Sequence, residues 1–204
     1  MRILAITSTA SEADFSKVIS YNNDNAPRLA ALSFIVFDGS FNILNSVPMI
    51  YVKPDSDFKR VSAKAKAYNN LSVEILREKG VEVDKVLRLV LSEVLKANLI
   101  IGANVWFTRK LLMSEFDKKM PNMNFNTLFT STRQLDILDL SRKLVNAKYS
   151  GLKSGCRRPT LKETVKKLLG KDIEEVYDDK QAAYIVSCFK VLCKLNIANL
   201  EEMK

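Results

Sequence analysis

Between Ser141 and Lys171 the chain sets ten basic residues against one acidic residue, Glu163. That segment carries +9, which equals the formal net charge of the whole 204-residue chain. Lys148, Lys153, Arg157 and Arg158 lie at its centre, among glycines and without helical periodicity. Charge gathered this way suits an anionic partner, nucleic acid first. The other reading is a solvated loop followed by the outer face of a helix. No base-reading motif accompanies the charge. The chain has no histidine, so no imidazole general base is available. A phosphodiesterase built here would have to draw on Glu115, Asp136, Asp139 or Asp178. Cys156, Cys188 and Cys193 are odd in number and irregular in spacing, which points to reduced thiols. Cys188 and Cys193 are five apart on an expected helix and face different ways, so a zinc site is not expected.

The elements that must position these groups follow from hydropathy. Hydrophobic residues make up 47% and charged residues 27%, an ordinary balance for a folded protein. One domain spanning residues 1–204 is expected. The N-terminus lacks a basic segment leading into an apolar run, and no apolar stretch approaches a membrane span. A cytoplasmic, intracellular protein is the expectation. Arg2 to Thr7 reads as a strand, and Ser8 to Pro27 as a polar loop. Arg28 to Phe37 and Asn42 to Val52 read as strands joined by the turn residues Asp38-Gly39-Ser40. Helices are expected over Val61–Tyr68, Val73–Lys79 (stopped by Gly80), Asp84–Ala97 and Trp106–Met120. Short strands are expected at Asn98–Gly102 and Gln134–Leu138, and a short helix to Val145. A helix from Pro159 to Leu169 and a last one from Asp178 to Asn196 complete the chain. This order is that of an α/β sandwich with a mixed five-stranded sheet.

Several segments fall in a recognisable order. They are Ile6-Thr7-Ser8-Thr9, Tyr51-Val52-Lys53-Pro54 and Gly102-Ala103-Asn104-Val105-Trp106-Phe107-Thr108. Leu135-Asp136-Ile137, Pro159-Thr160-Leu161 and the stretch from Tyr177 to Ala182 follow. In order and spacing these resemble the DEDD-type 3′–5′ exonucleases, the DnaQ-like branch of the ribonuclease-H-like fold. The resemblance covers nearly the whole chain. It implies three antiparallel strands, two parallel additions and flanking helices.

The resemblance also implies four carboxylates, at the places occupied here by Thr7, Thr9, Thr108 and Ala182, and a histidine where Tyr177 stands. In the family those carboxylates hold two divalent cations about 4 Å apart, which stabilise the attacking and leaving oxygens. Mg²⁺ prefers hard, usually anionic oxygen ligands. A threonine hydroxyl is neutral, and alanine offers no donor. The expectation is therefore an exonuclease-like pseudoenzyme with no catalytic residues, no metal and no cofactor. Binding of nucleic acid through the basic loop is the first functional reading. A protein-interaction or scaffolding role is the second, and a residual metal-dependent nuclease the third. Thr7 and Thr9 are expected as strand residues, Thr108 as capping or lining its helix start, and Ala182 as core. Asn104 either fixes the strand-to-helix turn through its amide or touches a ligand. Trp106, the lone tryptophan, either stacks on a base or packs beside the sheet.

Overall fold

The computed structural model describes residues 1–12, 27–56, 58, 61–69, 71–148, 156–174 and 179–201. Most of the expected polar loop, together with Lys153, Tyr177 and Asp178, lies outside the described residues.

Three strands open the chain: β1 (Arg2–Ala10), β2 (Leu29–Asp38) and β3 (Ile43–Tyr51). β1 pairs antiparallel with β2, from Arg2↔Asp38 to Ala10↔Leu29, and β2 pairs antiparallel with β3. The turn between β2 and β3 is held by Asp38, whose carboxylate accepts hydrogen bonds from the Ser40 and Asn42 amides. β4 (Leu99–Gly102) adds parallel to β1, and β5 (Arg133–Asp136) adds parallel to β4. The sheet order is β3-β2-β1-β4-β5, a mixed five-stranded sheet as expected.

Eight helices are assigned among the described residues: α1 (Ala63–Asn69), α2 (Val73–Lys79), α3 (Val83–Val94), α4 (Val105–Lys119), α5 (Phe125–Ser131), α6 (Ile137–Val145), α7 (Leu161–Leu169) and α8 (Gln181–Lys194). They divide between the two faces of the sheet because β-strand side chains alternate. Leu4 and Ile6 of β1 join Leu32, Phe34 and Val36 of β2 under α3, α4 and α5. Ile3, Ala5, Ile35 and Phe37 face the other way, onto α6, α7 and α8. A smaller cluster, Ala30, Phe58, Leu71 and Leu76, seats α2. No helix among the described residues is long and apolar enough to cross a membrane.

Several boundaries differ from expectation. β1 runs three residues beyond Thr7, because Ser8, Thr9 and Ala10 keep their partners on β2. β5 ends at Asp136, whose side chain accepts from Leu138 N and starts α6 there. α7 begins after Thr160, which forms a reciprocal capping box with Glu163, so Pro159 precedes the helix instead of opening it. α8 starts at Gln181, with Asp179 outside it. α5 had no counterpart in the sequence reading. Gly80 does end α2, in an extended conformation: a Cβ there would lie 2.1 Å from Leu76 O and 2.6 Å from the Lys53 backbone.

Candidate nucleic-acid interface and cleft

β1 is flanked on its two faces by the starts of two long helices. On one face, Thr7 Oγ1 donates to Gln181 Oε1, the first residue of α8, at 3.3 Å. On the other, Ser8 Oγ donates to Thr108 Oγ1, in the first turn of α4, at 2.9 Å. Thr7, Thr9, Thr108 and Ala182 are all buried. Thr7 and Thr9 on β1, Thr108 on α4 and Ala182 on α8 thus belong to elements that pack against one another, while Tyr177 lies outside the described residues. Ala182 packs with Ile3, Ala5 and Ile185, as a core residue should. Thr108 is not a cap: that place belongs to Asn104, in the left-handed region at φ 68°. Asn104 makes the turn with its backbone, its carbonyl accepting from Phe107 N and Thr108 N, and not with its amide side chain. Gly102 explains the start of the same motif. A Cβ there would sit 2.9 Å from Ile6 O, so β4 approaches β1 too closely for any side chain.

The nearby carboxylates are committed elsewhere. Glu115, 1% exposed, takes Arg28 Nε at 2.8 Å and Nη2 at 2.9 Å, and also accepts from Leu29 N. Arg28 turns its other edge to Asp55 at 3.0 and 2.9 Å, and Lys119 Nζ reaches Asp55 at 2.8 Å. Burial works against the charge on Arg28, yet hydrogen bonds to Glu115 and Asp55 raise its pKa above the ordinary value. The Arg28 hydrogen bonds hold Asp55 well below the usual carboxylate range. Glu115 is thus a buried structural anion. The sequence does carry a signal for it: Glu115 falls on the stripe of α4 that buries Leu111, Leu112 and Phe116.

Asp136 caps two helices with one carboxylate, accepting from Val105 N at 2.8 Å and Leu138 N at 3.0 Å. Arg158 Nη2 lies 2.5 Å from it. Burial pushes the Asp136 pKa upward, against the opposing pull of Arg158 and the two amides. Arg158 also contacts Asp139 at 3.0 Å and donates to Asn104 Oδ1 at 3.2 Å. Arg157 pairs with Glu163 and donates to Lys148 O. Both guanidiniums at the centre of the basic segment are therefore fastened to the protein. Lys148 is exposed, beside Cys156 across a short bridge. Trp106 is 40% exposed on α4, with Lys110 Nζ 6.0 Å from its ring centroid. Cys156 is exposed, and burial pushes the thiols of Cys188 and Cys193 up to about 12 and about 11.

Paired divalent cations, which the resemblance implies, do not fit the side chains gathered here. The converging groups are hydroxyls, an amide and a methyl. Among the described residues no group of three or more His, Cys, Asp or Glu side chains is placed to hold a metal ion.

No family model matches the chain, and no curated protein matches it at a significant level. Solved structures do match. Escherichia coli exonuclease I in complex with a dA16 oligonucleotide superposes with a TM-score of 0.72 at 15% identity, over 95% of this chain and 41% of that one. The same enzyme with a dT13 oligonucleotide gives 0.71 at 18% identity, over 98% and 42%. Exonuclease I from Methylocaldum szegediense gives 0.69 at 12% identity, over 95% and 40%. The chain spans about two-fifths of the length of these proteins. It has the fold of exonuclease I, the ribonuclease-H-like fold of the DnaQ-type exonucleases.

Proposed function

We propose that residues 1–204 form an exonuclease-like domain that no longer hydrolyses phosphodiesters and instead holds nucleic acid through its basic segment. One observation carries this reading. Where the fold's chemistry calls for anionic ligands, Thr7, Ser8, Thr108 and Gln181 bond to one another. Such a site cannot concentrate two cations. Among the described residues it also gathers no cluster of metal-holding carboxylates to repel phosphate, and the +9 segment reaches it where Arg158 touches Asn104. Lys148, whose carbonyl accepts from Arg157, would face phosphates together with Lys153 of the same basic segment, with Asn104 and Trp106 as further contacts. Three of the solved exonuclease I structures that share the fold carry oligonucleotides. The free thiols fit an intracellular setting.

The test is oligonucleotide binding in a chelating buffer at low salt, followed across rising salt. The proposal expects affinity without metal and a steep loss with salt. No binding to single or double strands at low salt would overturn it.

A protein-docking role is the second reading, favoured by the edge strand β3, whose outer edge among the described residues meets only Val81 at its end. β3 is an edge strand without a charged residue, and its Ile43 is 64% exposed. A complex recovered by pull-down that survives nuclease treatment would support it.

A further inference from the structure

α6 and α7 pack against each other on the α8 face of the sheet, opposite α4 and its Trp106. Their inner faces, including Ile137, Leu138, Leu161 and Val165, are taken up by the core. Their outer faces and the residues just beyond them carry Lys143, Lys148, Lys162, Lys167 and Lys171. Four of these are exposed and Lys162 is half-buried. The carboxylates of these elements are occupied: Asp139 by Arg158, Glu163 by Arg157 and Asp172 by Lys166. None of the five lysines shares an ion pair with a described residue. The positive charge left over among the described residues of this region thus belongs to these five lysines and to Arg142, whose guanidinium is held by Cys156 O.

We infer that this α6–α7 surface is a binding site for double-stranded nucleic acid, contacted through its phosphates alone; this rests on the nucleic-acid reading above and names its residues and ligand class. Lysine is a point charge without the planar fork that reads guanine edges. The described residues of α6, α7 and their flanks include no aromatic side chain. Single strands bind largely by stacking bases on aromatic rings, whereas a duplex offers one phosphate charge per about 1.7 Å of axis without unstacking anything. Lys162 and Lys167 are five residues apart on α7, about 7.5 Å along its axis and about 140° around it, so they point to different sides of the helix. The site lies on the opposite side of the sheet from α4, which carries Trp106.

The experiment measures fluorescence anisotropy of a labelled duplex, and of one of its strands, against the full chain in EDTA between 50 and 200 mM salt. If five phosphates are contacted, duplex affinity falls by about 500-fold over that range. The variant Lys143→Gln/Lys162→Gln/Lys167→Gln keeps two contacts and should fall by only about 12-fold. These lysines hold no ion-pair partner among the described residues, so the variant is expected to melt like the parent, and a matched thermal melt checks this. An unaltered salt dependence in the triple variant overturns the inference. Tighter binding of the single strand, lost in Trp106→Ala, also overturns it while leaving the nucleic-acid reading standing. Absence of binding to both probes at 50 mM salt removes both.

Discussion

Replacing Glu115 by alanine should strip the chain of a large share of its stability. The carboxylate is 1% exposed and Arg28 is 6% exposed. Its removal leaves Arg28 Nε and Leu29 N without their acceptor and removes one of two acceptors from Arg28 Nη2. Asp55 still neutralises part of the guanidinium, since it holds the other edge. Breaking a buried pair from one side costs about 3–5 kcal/mol, and the retained Asp55 contact places this case near the lower end. Against a total of about 5–15 kcal/mol for a folded domain, that is a severe loss. Urea unfolding followed by circular dichroism reads it: with a slope of about 2 kcal/mol per molar, the midpoint should fall by about 1.5 M. The double variant Arg28→Met/Glu115→Leu removes both charges and should regain most of the loss. A single variant within about 1 kcal/mol of the parent, or a double variant no better than the single, would refute the assignment of Glu115 as a structural anion.

Other outcomes follow from the same geometry. The folded carboxyl of Asp55 ionises at lower pH than the unfolded one, so its pairing stabilises the chain above the ordinary carboxylate range and is lost as pH falls through it. Urea midpoints measured between about pH 6 and pH 2 should therefore drop in acid, and more shallowly in Asp55→Asn. Gly102→Ala should destabilise by about 1–3 kcal/mol, because its Cβ would press on Ile6 O, a backbone atom that cannot swing aside; thermal unfolding checks it. Thr108→Val keeps the shape of the side chain and removes the acceptor of Ser8 Oγ, which should cost about 1 kcal/mol in the same melt.

How much of this was legible in the sequence depends on whether a segment's own pattern decided its structure. The strands around Asp38-Gly39-Ser40 and the amphipathic α3 could be read locally, because turn chemistry and apolar period agree with the final packing. α5 could not. Asn126, Thr127 and Thr130 are poor helix formers, and the helix exists because Phe125 stacks on Phe116 at 4.0 Å and Phe129 joins them in the core. The Ser8–Thr108 and Thr7–Gln181 bonds join residues 100 and 174 apart in sequence, and no local pattern signals them. The Arg28–Glu115 pair spans 87 residues of sequence, and only the polar intrusion on an apolar stripe hinted at it. Arg157 and Arg158 read as free charges in sequence. Their partners Glu163, Asp136 and Asp139 became visible only once the segment was folded back on the sheet.

The account stands or falls on binding without turnover. A 3′-extended oligonucleotide, labelled at its 5′ end, would be incubated with the chain at low salt in EDTA and again in Mn²⁺, with anisotropy and a denaturing gel read from the same samples. Equal affinity in both buffers and a strand of unchanged length are expected. Stepwise shortening from the 3′ end that requires Mn²⁺, and disappears in Asp136→Asn without loss of fold, would contradict it.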